Sequence, residues 1–191
     1  GKKVTGDTKK INGKTYLFNE DGEMQYGWQE IDGEGYYFGD ENDGARTESK
    51  WLWLEKSGML DEDDDQDPVL GCDENDDCDD EGWYWFASSG KMYKDSDKKK
   101  INGKYYMFNE HGQMLYEWIN TKEYTATGSS TEFILDGDRA GASSSDMIYA
   151  NEVEDGSRAA GWYEIDGAFI MIADSRHDRN PVIQRHIHLL Q

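Results

Sequence analysis

The apolar residues of this chain fall in short runs, and each run is bounded by turn residues. Ile31–Phe38 reads IDGEGYYF, Trp51–Leu54 reads WLWL, Trp83–Phe86 reads WYWF, and Met147–Ala150 reads MIYA. Runs of this length, rich in aromatic residues, predict strands. Asn12-Gly13, Asp32-Gly33, Asn102-Gly103 and Asp166-Gly167 predict hairpins, because a type I′ turn needs positive φ at both central residues. Asp21-Gly22, Asp43-Gly44 and Asp155-Gly156 mark further turns.

The runs recur as a repeat. Lys10–Trp28 (KINGKTYLFNEDGEMQYGW) and Lys100–Trp118 (KINGKYYMFNEHGQMLYEW) agree at 13 of 19 positions without a gap. Shorter copies follow Ile31, Trp51, Trp83, Met147 and Glu164, with Trp51–Met59 and Trp83–Met92 read as separate units. A lone hairpin of this size cannot bury an apolar face, whereas stacked neighbours can. The expected fold is all-β: tandem β-hairpin repeats stacked as a solenoid, with irregular acidic and Ser/Gly-rich insertions. Three regions are expected: a first block over 1–95, a second over 96–173, and a non-repeat tail over 174–191.

Composition sharpens this picture. Mean hydropathy is −0.97, yet 7 Trp, 12 Tyr and 6 Phe are present among 191 residues. Rings packed between small hairpins account for both facts. The formal charge of −21 argues against nucleic acid, whose phosphates need a basic surface. No apolar run reaches the ~18 residues of a membrane span, so no membrane insertion is expected. Much of the charge is local, since Asp61–Glu81 holds 13 acidic residues and no Lys or Arg. Asp77–Gly82 begins like an EF-hand loop, but its twelfth position is Ser88 where a bidentate Glu belongs. Cys72 and Cys78 flank part of this insert, either as free thiols or as a local disulfide. A second insert over 121–145 surrounds a strand candidate at Phe133–Leu135. The tail carries His186 and His188, too few ligands for a metal site. No metal, cofactor or catalytic constellation is expected.

Tyr26-Gly27-Trp28, Ile31-Asp32-Gly33 and Tyr36-Tyr37-Phe38 resemble the cell-wall-binding, or choline-binding, repeats of Gram-positive surface proteins. So do Trp83–Phe86 with Gly90-Lys91-Met92. Glucan-binding repeats and the repetitive ends of clostridial toxins are related. The resemblance implies a secreted or surface-exposed, non-catalytic module that holds a wall polymer. In the choline-binding branch, rings of adjacent hairpins form a cage around a quaternary ammonium, each good contact contributing about 0.5–2 kcal/mol.

Strand alternation points to the rings that would do this. Trp51 and Trp53 share one face of their strand, and Trp83 and Trp85 share one face of theirs, so these four are the best cage walls. Leu52, Leu54, Tyr84 and Phe86 are then packing residues. Trp28, Trp118 and Trp162, at or near the Gly-Trp position, supply third walls. Tyr37 and Tyr105 hold corresponding strand positions in other units. A recurring Trp also serves as a stacking ring, and Met24, Met59, Met92 and Met114 read as gap-fillers. The expected partner is choline-bearing teichoic acid or a related wall polymer. The alternatives are a glucan-type glycan, or a protein partner bound by a spacer whose ligand sites have degenerated.

Overall fold

The computed structural model describes residues 3–56, 78–120, 125–128, 147–165, 168–172 and 184–185. Among these residues every regular element is a β-strand. The strands pair as successive antiparallel hairpins, in line with the all-β expectation. No helix among the described residues is long and apolar enough to cross a membrane.

Hairpin 1 joins β1 (Asp7–Ile11) to β2 (Lys14–Phe18), with β3 (Met24–Gln25) pairing back onto β2. Hairpin 2 joins β4 (Trp28–Ile31) to β5 (Glu34–Tyr37). The Asn12-Gly13 and Asp32-Gly33 turns that close them have positive φ at both residues, as a type I′ turn requires. Hairpin 3 pairs β6 (Lys50–Glu55) with β7 (Glu81–Phe86). This corrects the reading of WLWL and WYWF as two units: they are the two strands of one hairpin. The acidic insert therefore runs from one strand of a hairpin to the other. It does not separate two repeats. Most of the insert, with Cys72, Met59 and Asp77, lies outside the described residues. Cys78 is disulfide-bonded.

Hairpin 4 joins β8 (Ser96–Ile101) to β9 (Lys104–Phe108), with a bulge between Ser96 and Lys99. In hairpin 5, β10 (Trp118–Asn120) lies between β11 (Thr125–Gly128) and β12 (Met147–Tyr149). Part of the second insert thus supplies an edge strand, while Phe133–Leu135 lies outside the described residues. Hairpin 6 joins β13 (Gly161–Ile165) to β14 (Ala168–Ile172), and β15 (Gln184–Arg185) from the tail pairs with β14. His186 and His188 lie outside the described residues.

The chain divides into two compact units, residues 1–94 with 111–113, and residues 95–110 with 114–191. In the first, Tyr84, Phe86 and Met92 form a buried cluster against which Trp28, Tyr37, Leu52 and Leu54 pack. In the second, Met107, Leu115, Ile119 and Ala150 form the cluster, with Ile148 against it.

Consecutive hairpins within a unit are tied by a recurring set of contacts. Arg46 N–H donates to the Thr15 carbonyl, Met92 N–H to Gly35 and Arg158 N–H to Tyr105. Each bond joins the loop of one hairpin to the second strand of the hairpin before it. The methionines recur in the same joints: Met24 lies under Gly44, Met92 under Gly112 and Met114 under Gly156. A Cβ at Gly44 or Gly112 would meet the methionine side chain closer than real Cβ atoms approach, and both glycines have positive φ. Ion pairs repeat the pattern at the surface: Lys14–Asp43 at 3.0 Å, Glu34–Lys91 at 3.0 Å and Lys104–Asp155 at 2.9 Å. Each links the start of one second strand to a residue beside the next hairpin's turn glycine.

Candidate ligand-binding faces

The Gly-Trp tryptophans share one geometry. Trp28 stands opposite Tyr37, Trp51 opposite Trp85, Trp118 opposite Tyr149 and Trp162 opposite Met171. A residue of positive φ shortly precedes each: Gly27, Ser49, Glu117 and Gly161. Each of these residues lies within two positions of its tryptophan, at the entry to the first strand of the hairpin. Ser49 and Glu117 adopt this conformation without being glycine, which is why the Gly-Trp signal fades in those repeats.

The surroundings of the four pairs differ. Trp28 lies 5.4 Å from Tyr37, 4.8 Å from Tyr84 and 5.7 Å from Phe86, in an aromatic cluster where Trp28 and Tyr37 are half-buried. Its indole N–H donates to the Glu55 carbonyl at 3.2 Å. Burial, then the nearby Asp40 and Glu55 carboxylates, push the Tyr37 hydroxyl above its ordinary pKa. Trp118 is wholly buried and meets Tyr149 edge-on at 4.9 Å, with Tyr163 5.8 Å further on. Trp162 is 53% exposed.

Hairpin 3 brings the four best-placed tryptophans onto one face. The register sets Trp51 against Trp85 and Trp53 against Trp83, with centroids 5.3 and 5.5 Å apart. The opposite face carries Leu52, Leu54, Tyr84 and Phe86, which enter the first unit's core. Trp53 is 43% exposed, and its indole N–H donates to the Glu81 carboxylate at 3.1 Å. Tyr105 differs from all of these. Its ring is covered by the chain's own cations, with Lys98 Nζ at 4.9 Å and Lys100 Nζ at 5.8 Å from the centroid.

Two features escaped the sequence reading. Tyr149 completes the Trp118 pair, and its position in MIYA, ahead of the Asp155-Gly156 turn, was the available signal. Glu55 and Glu81 extend the tryptophan face toward the hairpin tip. Nothing marked them in so acidic a region until the β6–β7 register was known.

Known proteins share this architecture. Residues 4–51 match the choline-binding repeat, and residues 78–92 match the putative cell wall binding repeat. CbpJ from Streptococcus pneumoniae TIGR4 is similar in structure, with a TM-score of 0.56 and 16% identity over 92% of this chain and 41% of that one. Choline binding protein F from S. pneumoniae, solved in the presence of a peptidoglycan analogue (tetrasaccharide-pentapeptide), gives 0.57 and 17% over 94% of this chain and 41% of that one. The same protein in complex with ipratropium gives 0.51 and 21% over 88% and 44%. At these identities the likeness is one of fold, and this chain spans about two fifths of the length of those it matches. No curated protein sequence matches. Two stretches of the chain, 4–51 and 78–92, are thus similar to choline-binding-type and cell-wall-binding repeats, and the fold of the chain is that of choline-binding repeat proteins.

Proposed function

We propose that this chain is a non-catalytic, extracellular module that holds a Gram-positive cell-wall polymer bearing quaternary ammonium groups, such as choline-bearing teichoic acid, through the aromatic faces of its hairpins. The observation that carries this reading is the tryptophan face of hairpin 3, whose second strand lies in a matched wall-binding repeat. Trp51, Trp53, Trp83 and Trp85 are the ligand rings. Trp118, wholly buried, and the half-buried Trp28 and Tyr37, packed against the core cluster, serve mainly to stack the hairpins. Tyr105 is held by its own lysines, and Trp162 offers a single exposed face.

A cation over two or three rings gains only a few kcal/mol, at about 0.5–2 kcal/mol per contact. That corresponds to millimolar affinity for one site. A polymer that repeats the same group raises avidity by roughly 10²–10⁴ when several sites engage together. Attachment therefore belongs to the array and not to any single cage.

Titration with choline, followed by tryptophan fluorescence and by retention on purified walls with and without choline, tests the reading. Millimolar saturation, with release from walls by free choline, is expected. No response up to about 100 mM, well above the expected single-site Kd, refutes the choline version. The exposed indoles of Trp53 and Trp162 favour one second reading, a neutral glycan stacked on those rings. Wall binding that free choline does not release would select it.

A further inference from the structure

The tryptophan face of hairpin 3 continues into charge. β6 and β7 place Glu55 directly opposite Glu81, next to the Trp53–Trp83 pair and on the same face. Like charges directly opposite in a ladder weaken the pairing. Both glutamates are exposed, and among the described residues neither forms an ion pair. Lys56, the nearest lysine in sequence, pairs with Asp80 instead, at 3.5 Å. The Trp53 indole N–H holds the Glu81 carboxylate at the ring's edge, and the Trp83 ring meets Trp53 at 73°. Two indoles and two glutamates therefore share one end of the face.

This combination distinguishes between kinds of ammonium. A quaternary ammonium presents methyl groups: it gains from the rings but cannot donate to a carboxylate. A protonated primary amine uses both, through cation–π attraction and short charge-assisted hydrogen bonds. We infer that Trp53, Trp83, Glu55 and Glu81 form a site for a protonated primary amine, separate in chemistry from a cage for quaternary ammonium. The inference rests on the reading that the tryptophans of this hairpin are ligand rings. An amino sugar lacking its acetyl group and a lysine side chain of a peptide carry the same chemistry.

The test uses the full chain and the indole N–H resonances of Trp53 and Trp83. Ethanolamine and choline share a hydroxyethyl arm and differ in the N-methyl groups. Ethanolamine should shift both resonances with affinity at least about threefold tighter than choline. Glu55→Gln with Glu81→Gln should abolish that preference by weakening ethanolamine more than choline, because choline loses only Coulomb attraction whereas ethanolamine loses its charge-assisted hydrogen bonds as well. Because the substitutions remove a repulsion, the thermal midpoint should stay level or rise, which guards against misfolding as the cause. Trp53→Ala should weaken both ligands. Glucosamine against N-acetylglucosamine, and Nα-acetyl-lysine amide against its Nε-acetylated form, separate the two sources of the amine.

Choline binding these two resonances as well as ethanolamine does, no shift by either probe, or a preference that survives both glutamine substitutions overturns the inference. Wild-type chain that fails to bind purified walls overturns the attachment reading instead. Wall binding without the amine preference overturns this inference alone.

Discussion

Gln113 offers the sharpest test of how the repeats are joined. It sits beside Gly112 in a turn that belongs to the first unit, and it is only 5% exposed. Its amide makes two bonds with the backbone of Asp79: Nε2 donates to the carbonyl at 2.6 Å, and Oε1 accepts from the N–H at 3.1 Å. The side chain thus imitates a strand partner for the segment that leads from Cys78 into β7. Substitution Gln113→Glu changes one atom group and breaks this pairing in a defined way. The carboxylate keeps the bond from Asp79 N–H but turns the 2.6 Å donor into a negative acceptor facing a carbonyl. Losing one hydrogen bond costs about 0.5–1.5 kcal/mol, and burying the charge beside a carbonyl adds about 1–3 kcal/mol. A loss of about 2–4 kcal/mol is expected at pH 7.5.

The sign of the pH dependence follows. Burial raises the carboxyl's folded pKa above its unfolded value, because the charged form is the disfavoured one. Once protonated, the acid again donates to the Asp79 carbonyl while accepting from its N–H. The deficit against wild type should therefore be largest above the folded pKa and shrink as pH falls through it toward about 4.3, the unfolded value. Denaturant titration followed by tryptophan fluorescence at pH 7.5 and 5, with hydrogen exchange at the Asp79 amide, measures both effects. A variant as stable as wild type at pH 7.5, or a deficit that does not change with pH, would show that the amide pairing is not what holds this segment.

Three further outcomes are expected. Gly112→Ala places a Cβ against the Met92 side chain at a φ of +87°, so it should cost about 1–3 kcal/mol; adding Met92→Ala should recover part of that in a double-mutant cycle. Ser49 is exposed and holds a φ of +51°, so Ser49→Gly should raise stability by about 0.5–1 kcal/mol, the left-handed penalty less glycine's own entropy, read as a higher denaturation midpoint. Burial acts to raise the Asp155 pKa, but hydrogen bonds from Lys104, Ser157 and Asn151 together with the Lys104 charge hold it below 3.8. Its contribution is therefore complete above that value and lost as pH falls through the lower folded one. Solvent screens this pair, so Asp155→Asn should cost under about 1 kcal/mol at pH 7, with the difference fading in acid and the carboxyl's NMR titration midpoint displaced downward.

Local chemistry is legible in this chain wherever the hairpin turn is short. Asn12-Gly13 and Asp32-Gly33 closed hairpins 1 and 2 as expected, because a two-residue turn fixes both pairing and register. Alternation alone assigned Trp51 and Trp53 to one face and Leu52 and Leu54 to the other, and the core cluster agrees. The pairing of β6 with β7 was not legible. No short turn joins them, so nothing local ties WLWL to WYWF, and each resembles a repeat by itself. The opposition of Glu55 and Glu81 depends on that register and was hidden with it.

The same division explains the two most similar repeats. Glu23 and Gln113 occupy equivalent places in nearly identical segments, and alignment gives no reason for the difference. Glu23 is exposed and its backbone N–H bonds to Asn19, whereas Gln113 is buried against Asp79. Sequence alone determined the aromatic strands, their short turns and the faces of their side chains, since these follow from periodicity and backbone conformation within a few residues. Only the tertiary structure decided which tryptophans remain open, which are sealed by a neighbouring hairpin, and which polar residues meet across a repeat joint. Those outcomes depend on contacts between segments far apart in the chain, where loop closure and packing, and not local propensity, select the partner.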